Sequence, residues 1–281
     1  MSVLEVNNLR KVYSAFTLDG VSFSLQSGKI TGFIGRNGAG KSTTLNALLR
    51  FIHPDAGDVS FFGLPFGGHE EEIKQRVGFV SSGVNYYPRR KLRVITGVTR
   101  PFYRGWDDAA YTDCLRRFSL DEEKTPAQLS AGMKVKYALA LALSHRAELL
   151  ILDEPTSGLD PVSRDDLLDV FLDLCDEGKT ILFSTHITSD LDKCADRILY
   201  LRGGRLIADA PLASFVDGYR LVTFAEGEPS AAQEAALIGR KRGKTGFTAL
   251  VPASEAGLFP DAAPANLESV MIHLEKEGES C

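Results

Sequence analysis

The chain has 281 residues, of which 44% are hydrophobic and 25% are charged, and its formal net charge at pH 7 is −5. This length suits one large domain or two modest ones, and the acidic balance argues against attraction to nucleic acid or acidic lipid by overall charge. No apolar run approaches the ~20 residues of a membrane-spanning helix, and the N-terminus lacks the apolar core of a signal peptide, so we expect a soluble chain without a leader. The four cysteines and five histidines show no metal-ligand spacing, so we expect reduced thiols and no Cys/His metal site.

Short apolar runs alternate with turn residues over the first 60 residues. VLEVNNL and FTLDGVSFSLQSG predict two strands, paired antiparallel, and KITGFIGRNG predicts a buried strand followed by a glycine-rich turn. Leucine and isoleucine at helical spacing predict a helix over KSTTLNALLRFI, ended by Pro54. VSFFG and VGFV are further predicted strands, and residues 84–128 are predicted to be mainly helical and polar.

From residue 129 onward, predicted helices alternate strictly with short apolar strands. The strands are LLILDEP, TILFST and RILYLRGG, and an apolar helix, KVKYALALALS, precedes the first of them. This alternation predicts a parallel α/β sheet, and LLIL lacks polar alternation as expected for a strand covered on both faces.

The alternation of apolar strands and helices stops near Gly218. Beyond it, YRLVTF and TALVPA are strand candidates, with polar segments between them, and ANLESVMIHLEKEG has the pattern of an amphipathic helix. We therefore predict a first domain over residues 1–217, with a helical subdomain at about 84–145, and a small α+β extension over residues 218–281.

The octapeptide GRNGAGKS at 35–42 fits G-x-x-x-x-G-K-[ST] between a predicted strand and a predicted helix, the context of a P-loop. Backbone N–H groups of residues 38–43 at the helix start would hold the α- and β-phosphates of a nucleotide. The lysine would reach the β- and γ-phosphates, and the serine hydroxyl would bind Mg²⁺. The predicted phosphate-binding residues are Gly35, Asn37, Gly38, Ala39, Gly40, Lys41, Ser42 and Thr43.

Two adjacent carboxylates, Asp153 and Glu154, follow the buried strand LLIL. Because successive side chains of a strand point to opposite sides, the two carboxylates can have different roles. Asp153 would hold Mg²⁺, directly or through water, and Glu154 would act as the general base for the attacking water.

The P-loop and the acid pair, together with four further motifs described next, follow the order found in the ATP-binding cassette (ABC) ATPases, and residues 1–217 therefore resemble that family. Tyr13 stands where members of that family stack an aromatic ring on adenine, and LSAGMK at 129–134 resembles the family signature LSGGQ. SGLD resembles the D-loop, with Asp160 as its acid, and FSTH places His186 where the family has a histidine that contacts the γ-phosphate. The resemblance implies a P-loop NTPase fold: a parallel core sheet, an N-terminal antiparallel β subdomain and a helical signature subdomain.

The resemblance also implies an ATP-sandwich dimer, in which the signature of one subunit completes the ATP site of another. Ser130 and the Gly132 N–H would then bind the γ-phosphate held by the partner's P-loop. The sequence departs from the family pattern at Ala131 and Met133, which we expect to be tolerated. It departs again at Ser82, where members carry a glutamine that binds Mg²⁺, and we do not expect Ser82 to be a direct ligand.

The expected function is an ATP-hydrolysing subunit that drives a separate membrane permease, in export rather than import. The subunit would pair with a second ABC subunit, which is either an identical chain or a different one. Such a chain would lie in the cytoplasm, held at the inner face of the cell membrane by the permease. A soluble assembly or mechanical ATPase, and a weakly hydrolysing ATP-sensing module, remain alternatives. The basic runs PRRKLR (88–93) and GRKRGK (239–244) are expected to be solvated rather than bound to nucleic acid, although family members contact the permease near the first.

Overall fold

The computed structural model describes residues 2–81, 87–224, 229–244 and 246–278. The chain forms two compact units, one made of Met1–His186 with Lys193–Asp209 and the other of Ile187–Asp192 with Ala210–Cys281. The division into domains at residues 217 and 218 stays a prediction. No helix among the described residues is long and apolar enough to cross a membrane.

The elements up to residue 211 follow the predicted alternation. In chain order the strands are β1 (Ser2–Val12), β2 (Thr17–Gln26), β3 (Ile30–Ile34), β4 (Ala56–Phe61), β5 (Leu64–Pro65), β6 (Val77–Ser81), β7 (Leu149–Asp153), β8 (Thr180–Thr185), β9 (Arg197–Arg202) and β10 (Arg205–Pro211). The helices are α1 (Lys41–Leu48), α2 (Phe66–Arg76), α3 (Leu92–Thr99), α4 (Asp108–Arg117), α5 (Ala131–Ser144), α6 (Pro161–Asp176) and α7 (Thr188–Cys194).

Two sheets organise this part of the chain. A four-stranded antiparallel sheet has the order β2-β1-β4-β5, which confirms the antiparallel pair predicted at the N-terminus. A six-stranded sheet has the order β10-β9-β3-β8-β7-β6, and β9, β3, β8, β7 and β6 are mutually parallel. The predicted α/β fold with a parallel core sheet and an N-terminal antiparallel sheet is therefore confirmed.

The central strands of the parallel sheet carry the site. Every residue of β3, β7 and β8 is buried, as the unbroken apolar runs predict. In the register of the sheet, Ile34 pairs with Thr185 and Asp153 pairs with Ser184. The turns that follow these strands therefore begin side by side, where parallel α/β sheets commonly bind ligands.

The predicted helix after the glycine-rich turn is shorter than its sequence pattern. We expected it to continue to Pro54, but α1 ends at Leu48 with Leu49 as its C-cap. Arg50 has a left-handed backbone, with φ of 57°, and the N–H groups of Phe51 and Ile52 both donate to the carbonyl of Asn46. The turn thus folds the apolar residues that follow away from the helix axis, which helical spacing alone does not reveal.

The second unit contains a small antiparallel sheet covered by a helix. Its elements are α8 (Leu212–Asp217), β11 (Tyr219–Phe224), α9 (Ala231–Ala236), β12 (Ile238–Arg242), β13 (Phe247–Pro252), β14 (Ala263–Pro264) and α10 (Leu267–Gly278), with the strand order β12-β13-β11-β14. His273 of α10 is buried and contacts the Gly239 carbonyl and the Thr248 hydroxyl, at 2.6 and 3.2 Å. The predicted strands and terminal helix are confirmed, and β12, which overlaps the basic run, lies where the sequence pattern predicts no strand.

Candidate functional site

A cavity of about 550 Å³ lies where β3, β7 and β8 end. Most of its lining comes from the loop after β3, the start of α1 and the turns after β7 and β8. The lining residues are Phe16, Arg36, Asn37, Gly38, Gly40, Lys41, Ser42, Thr43, Glu154, Ser157 and His186.

The loop after β3 has the form of a phosphate-binding turn. Gly40 has φ of 110°, and a Cβ at this position would lie 2.7 Å from Cζ of Phe16, so only glycine fits there. It is followed at once by α1, which has no side-chain cap and no acidic residue in its first turn, so the positive end of the helix faces the cavity. Ala39 is buried behind the loop, where its N–H donates to the Arg36 carbonyl.

Lys41 is the charged centre of the cavity. Its side chain is only 5% exposed, and its ammonium donates to the Gly35 carbonyl at 2.7 Å and lies 3.2 Å from Glu154 Oε1. The other carboxylate oxygen, Glu154 Oε2, is 2.8 Å from Nδ1 of His186. A buried ammonium requires such partners because desolvation of an unpaired charge is costly. The structure thus brings together the lysine, the acid and the histidine that the sequence analysis selected separately.

The side chains of the adjacent residues Asp153 and Glu154 point in different directions because the backbone turns at Glu154, and not because a strand alternates its side chains. Asp153 is the last residue of β7 and is buried, whereas Glu154 has left the strand with a left-handed φ of 51°. Ser184 on β8 joins the two, because its hydroxyl donates to Asp153 Oδ1 at 2.6 Å and accepts from the Glu154 N–H at 2.9 Å. The expectation that strand geometry itself divides the pair is therefore corrected: the turn does so.

The oxygen donors near this turn suit a hard divalent cation. Ser42 offers a hydroxyl in the cavity lining, and Asp153 offers a carboxylate at the end of β7. Mg²⁺ prefers carboxylate and hydroxyl oxygens together with phosphate oxygens and water, so the donor set fits the ion.

The two aromatic residues next to the cavity differ in position. Phe16 lines the cavity, whereas Tyr13 lies outside its lining, is 43% exposed and has the Lys11 ammonium 5.8 Å from its ring centroid. Sequence reasoning did not select Phe16, since an apolar residue before a strand carries no distinctive signal. Arg36, Ser157 and Ser184 were also missed, although each lies inside a motif that was quoted.

The LSAGMK segment forms the start of α5. Ser130 is the N-cap, and its exposed hydroxyl accepts from the Met133 N–H at 3.2 Å. Gly132 is buried in the first turn, and a Cβ there would meet Leu159 at 3.8 Å, an ordinary contact. Neither residue lines the cavity of its own chain.

A buried chain of hydroxyl groups ties α5 to its neighbours. Tyr137 of α5 donates to the Leu92 carbonyl at 3.0 Å, so it accepts from Thr96 of α3, which in turn accepts from Tyr111 of α4; these two hydroxyl contacts measure 2.9 and 2.8 Å. Burial raises the pKa of Tyr111 and Tyr137, which keeps both phenols protonated donors. Helix α5, which Ser130 caps, is therefore held to α3 directly and to α4 through Thr96, by hydrogen bonds whose donors and acceptors are all defined.

The remaining predicted positions are placed as follows. Asp160 is the N-cap of α6, and hydrogen bonds from the side chain and amide of Ser163 hold the pKa of Asp160 below its usual value. Ser82 lies outside the described residues. Of the basic runs, Lys91 and Arg93 both pair with Glu123, and Arg240 pairs with Glu234.

Comparison with known proteins agrees with this geometry. The family model described as ABC transporter matches residues 18–157. Nod factor export ATP-binding protein I of Burkholderia orbicola (strain AU 1054) is 32% identical over 292 residues, which cover 96% of this chain and 96% of that protein. Bacitracin transport ATP-binding protein BcrA of Bacillus licheniformis is 33% identical over 75% of this chain and 70% of its own.

A solved structure supports the same assignment. It is described as the structure of the ATP binding subunit of an ABC transporter, and it matches with a TM-score of 0.68 and 30% identity, covering 75% of this chain and 91% of that one. The chain therefore belongs to the ABC transporter family, as an ATP-dependent transporter subunit with that family's ATPase fold.

Proposed function

We propose that this chain binds and hydrolyses ATP at the cavity, and that a pair of such subunits drives a separate membrane permease in the export direction. The observation that carries the proposal is the contact of Glu154 with both Lys41 and His186 at the mouth of a phosphate-binding turn. This arrangement unites a phosphate-binding cation with a carboxylate of the kind that activates water.

Phosphate binding follows from the charge and the backbone of the turn. The Lys41 ammonium would exchange its contact with Glu154 for β- and γ-phosphate oxygens, while the N–H groups of Gly38 and of residues 40–43 hold the α- and β-phosphates; the Ala39 N–H already donates to the Arg36 carbonyl. Both the ammonium and the phosphate-binding N–H groups are directed donors at a positive helix end, so they stabilise negative charge once Lys41 has left Glu154.

Hydrolysis needs a base beside the γ-phosphate. Glu154 would accept a proton from a water whose oxygen attacks the γ-phosphorus, as the bond from that phosphorus to the β–γ bridging oxygen breaks and ADP leaves. His186 would donate to a γ-phosphate oxygen from its position next to Glu154. Ser42 and Asp153 would hold Mg²⁺, which neutralises charge on the β- and γ-phosphates.

The signature residues support the sandwich arrangement. Glycine inside a helix costs roughly 1 kcal/mol relative to alanine, yet a Cβ at position 132 would make only an ordinary contact with Leu159. The fold of the chain itself thus gives little reason for glycine there. An incoming γ-phosphate from a second subunit, approaching the Gly132 N–H and the Ser130 hydroxyl, supplies that reason.

An exposed apolar surface on α3 and the residues after it supports contact with a permease. Val94, Val98 and Phe102 are 42%, 55% and 73% exposed, and large exposed apolar side chains on one surface are typical of an interface. The names of the two relatives, for Nod factor export and bacitracin transport, support a transport role. We accordingly place the chain at the inner face of the cell membrane, bound through the permease.

Steady-state ATP hydrolysis by Glu154→Gln tests the proposal. Because glutamine cannot accept the proton, we expect turnover to fall at least about 100-fold while ATP still binds. The same variant with Mg-ATP should form a stable dimer, measured by light scattering.

Glu5→Gln is the matched control, since Glu5 is an exposed acid on β1 and the substitution removes the same charge. It should keep wild-type turnover. Unchanged turnover in Glu154→Gln would show that Glu154 is not the base, and a monomer with Mg-ATP would count against the sandwich.

A further inference from the structure

The two acids of the site share a partner that has no assigned role. Ser184 is fully buried on β8, directly opposite Asp153 in the register of the parallel pair β7 and β8. Its hydroxyl donates to Asp153 Oδ1 at 2.6 Å and accepts from the Glu154 N–H at 2.9 Å. A serine hydroxyl has one proton and two lone pairs, so one side chain can hold a carboxylate and an amide at once.

The second of these bonds falls where the backbone needs support. Glu154 has φ of 51°, a region that costs a residue with a Cβ about 1 kcal/mol or more and persists only where the surroundings enforce it. The bond to Ser184 satisfies the Glu154 N–H, which would otherwise lack a partner at the end of β7. From this conformation the carboxylate reaches Lys41 and His186.

We propose that Ser184 is a positioning residue for ATP hydrolysis: its hydroxyl orients Asp153 and holds the backbone of Glu154 in the conformation that directs the Glu154 carboxylate into the cavity. The inference rests on the proposed function of Glu154 and Asp153. It adds that one hydroxyl sets the geometry of the base and of the metal-binding acid together.

Turnover of Ser184→Ala gives the first test. We expect kcat at saturating Mg-ATP to fall about 10- to 100-fold, the range found when a group that orients a site residue is removed, with the KM for Mg-ATP raised by no more than about tenfold through the weaker hold on the metal. Ser144→Ala is the matched control, because Ser144 is equally buried and donates to the Ala140 carbonyl at 2.5 Å on α5. The control should keep wild-type kcat, and an equal loss in both variants would overturn the proposal.

Rescue and non-additivity separate positioning from general packing. Ser184→Thr keeps the hydroxyl and should recover most of the lost kcat, whereas a value no higher than that of Ser184→Ala contradicts the proposal. At saturating Mg²⁺ and ATP, which offset a weaker hold of Asp153 on the metal, adding Ser184→Ala to Glu154→Gln should lower the residual turnover by less than about twofold, because the remaining effect of the hydroxyl acts through Glu154. Independent, multiplying effects would contradict it.

Nucleotide binding provides a readout other than turnover. Calorimetric titration with ATP in EDTA should give the same affinity for wild type and Ser184→Ala, while the gain in affinity on adding Mg²⁺ should shrink about tenfold in the variant, because Asp153 loses its orienting bond. An unchanged gain would overturn the role at Asp153.

Thermal unfolding checks that each variant is folded. If Ser184→Ala does not fold, Ser184→Cys, which fills the space with a weak donor, carries the same expectations. Failure of this inference is distinct from failure of the proposed function: an inactive Glu154→Gln with a fully active Ser184→Ala removes only the inference, and an active Glu154→Gln removes the proposed base.

Discussion

At the cavity, the Lys41 side chain is 5% exposed and contacts Glu154 at 3.2 Å, whereas at the start of α5 the Ser130 hydroxyl is exposed and caps the Met133 N–H. The first region is a set of polar contacts around the buried Lys41 ammonium, made by residues of the same chain. The second is an exposed helix end at which the Ser130 side chain caps one N–H group. This difference implies that changes at the cavity act on nucleotide binding by a single chain, and that changes at the signature act only when a second chain is present.

The largest effect is expected for Lys41→Ala. Removing the ammonium takes away the main cation for the β- and γ-phosphates, so ATP affinity should fall at least about 100-fold in the monomer, with turnover lost. Titration with a fluorescent ATP analogue at low protein concentration measures this. Affinity within about threefold of wild type would show that the cavity is not the phosphate site.

Ser130→Ala should act differently. We expect kcat to fall about 10-fold or more and the ATP-induced dimer to weaken, with monomer ATP affinity unchanged, because the hydroxyl serves a phosphate on another chain. Ala131→Gly and Met133→Gln are the neighbouring controls and should keep turnover within about threefold. Loss of ATP binding by the Ser130→Ala monomer would remove the contrast between the two regions.

Phe16→Ala and Tyr13→Ala sharpen the description of the cavity wall. Loss of an aromatic contact is worth about 0.5–1.5 kcal/mol, so Phe16→Ala should raise the KM for ATP roughly 2- to 12-fold, with a smaller change for Tyr13→Ala. Steady-state kinetics over a range of ATP concentrations distinguishes them. A larger effect of Tyr13→Ala would favour the stacking role that the family resemblance implies.

The last expected effect is on stability and not on activity, and it concerns the hydroxyl chain behind the signature helix. Thr96→Val leaves the buried Tyr111 hydroxyl without its acceptor and Tyr137 without its donor, so the free energy of unfolding should fall about 1–3 kcal/mol. Thr96→Ser retains the hydroxyl and should lose less. Denaturant unfolding measures both, and a loss in Thr96→Ser as large as that in Thr96→Val would contradict a dominant role for the hydroxyl.

Much of the fold was predictable because the central strands are unusually uniform. The run LLIL and its neighbours are buried on both faces, and such strands carry an apolar pattern without alternation. Strand β12 and the end of α1 were not predictable in the same way. β12 is a basic strand in which Arg240, Lys241 and Arg242 mask the strand pattern, and α1 is ended by the left-handed Arg50.

The candidate site was predictable at positions where the local backbone and the bound phosphate require one particular residue type. Gly40, Lys41 and Ser42 are of this kind, since the turn and the helix end dictate them. Ser184 and Phe16 were missed because serine and phenylalanine in or beside a buried strand are usual, and only the register of the sheet and the course of the loop bring them to the site.

The left-handed turn at Glu154 shows a conflict between stability and activity. The residues with the least backbone strain at φ of 51° are glycine and asparagine, but neither carries a carboxylate that could reach Lys41. The chain instead places there a residue that its local conformation disfavours. With Glu154 as the proposed base, the position is thus one at which the chain gives up some folding free energy to keep the carboxylate beside Lys41 and His186, and selection for a more stable fold alone would discard that carboxylate first.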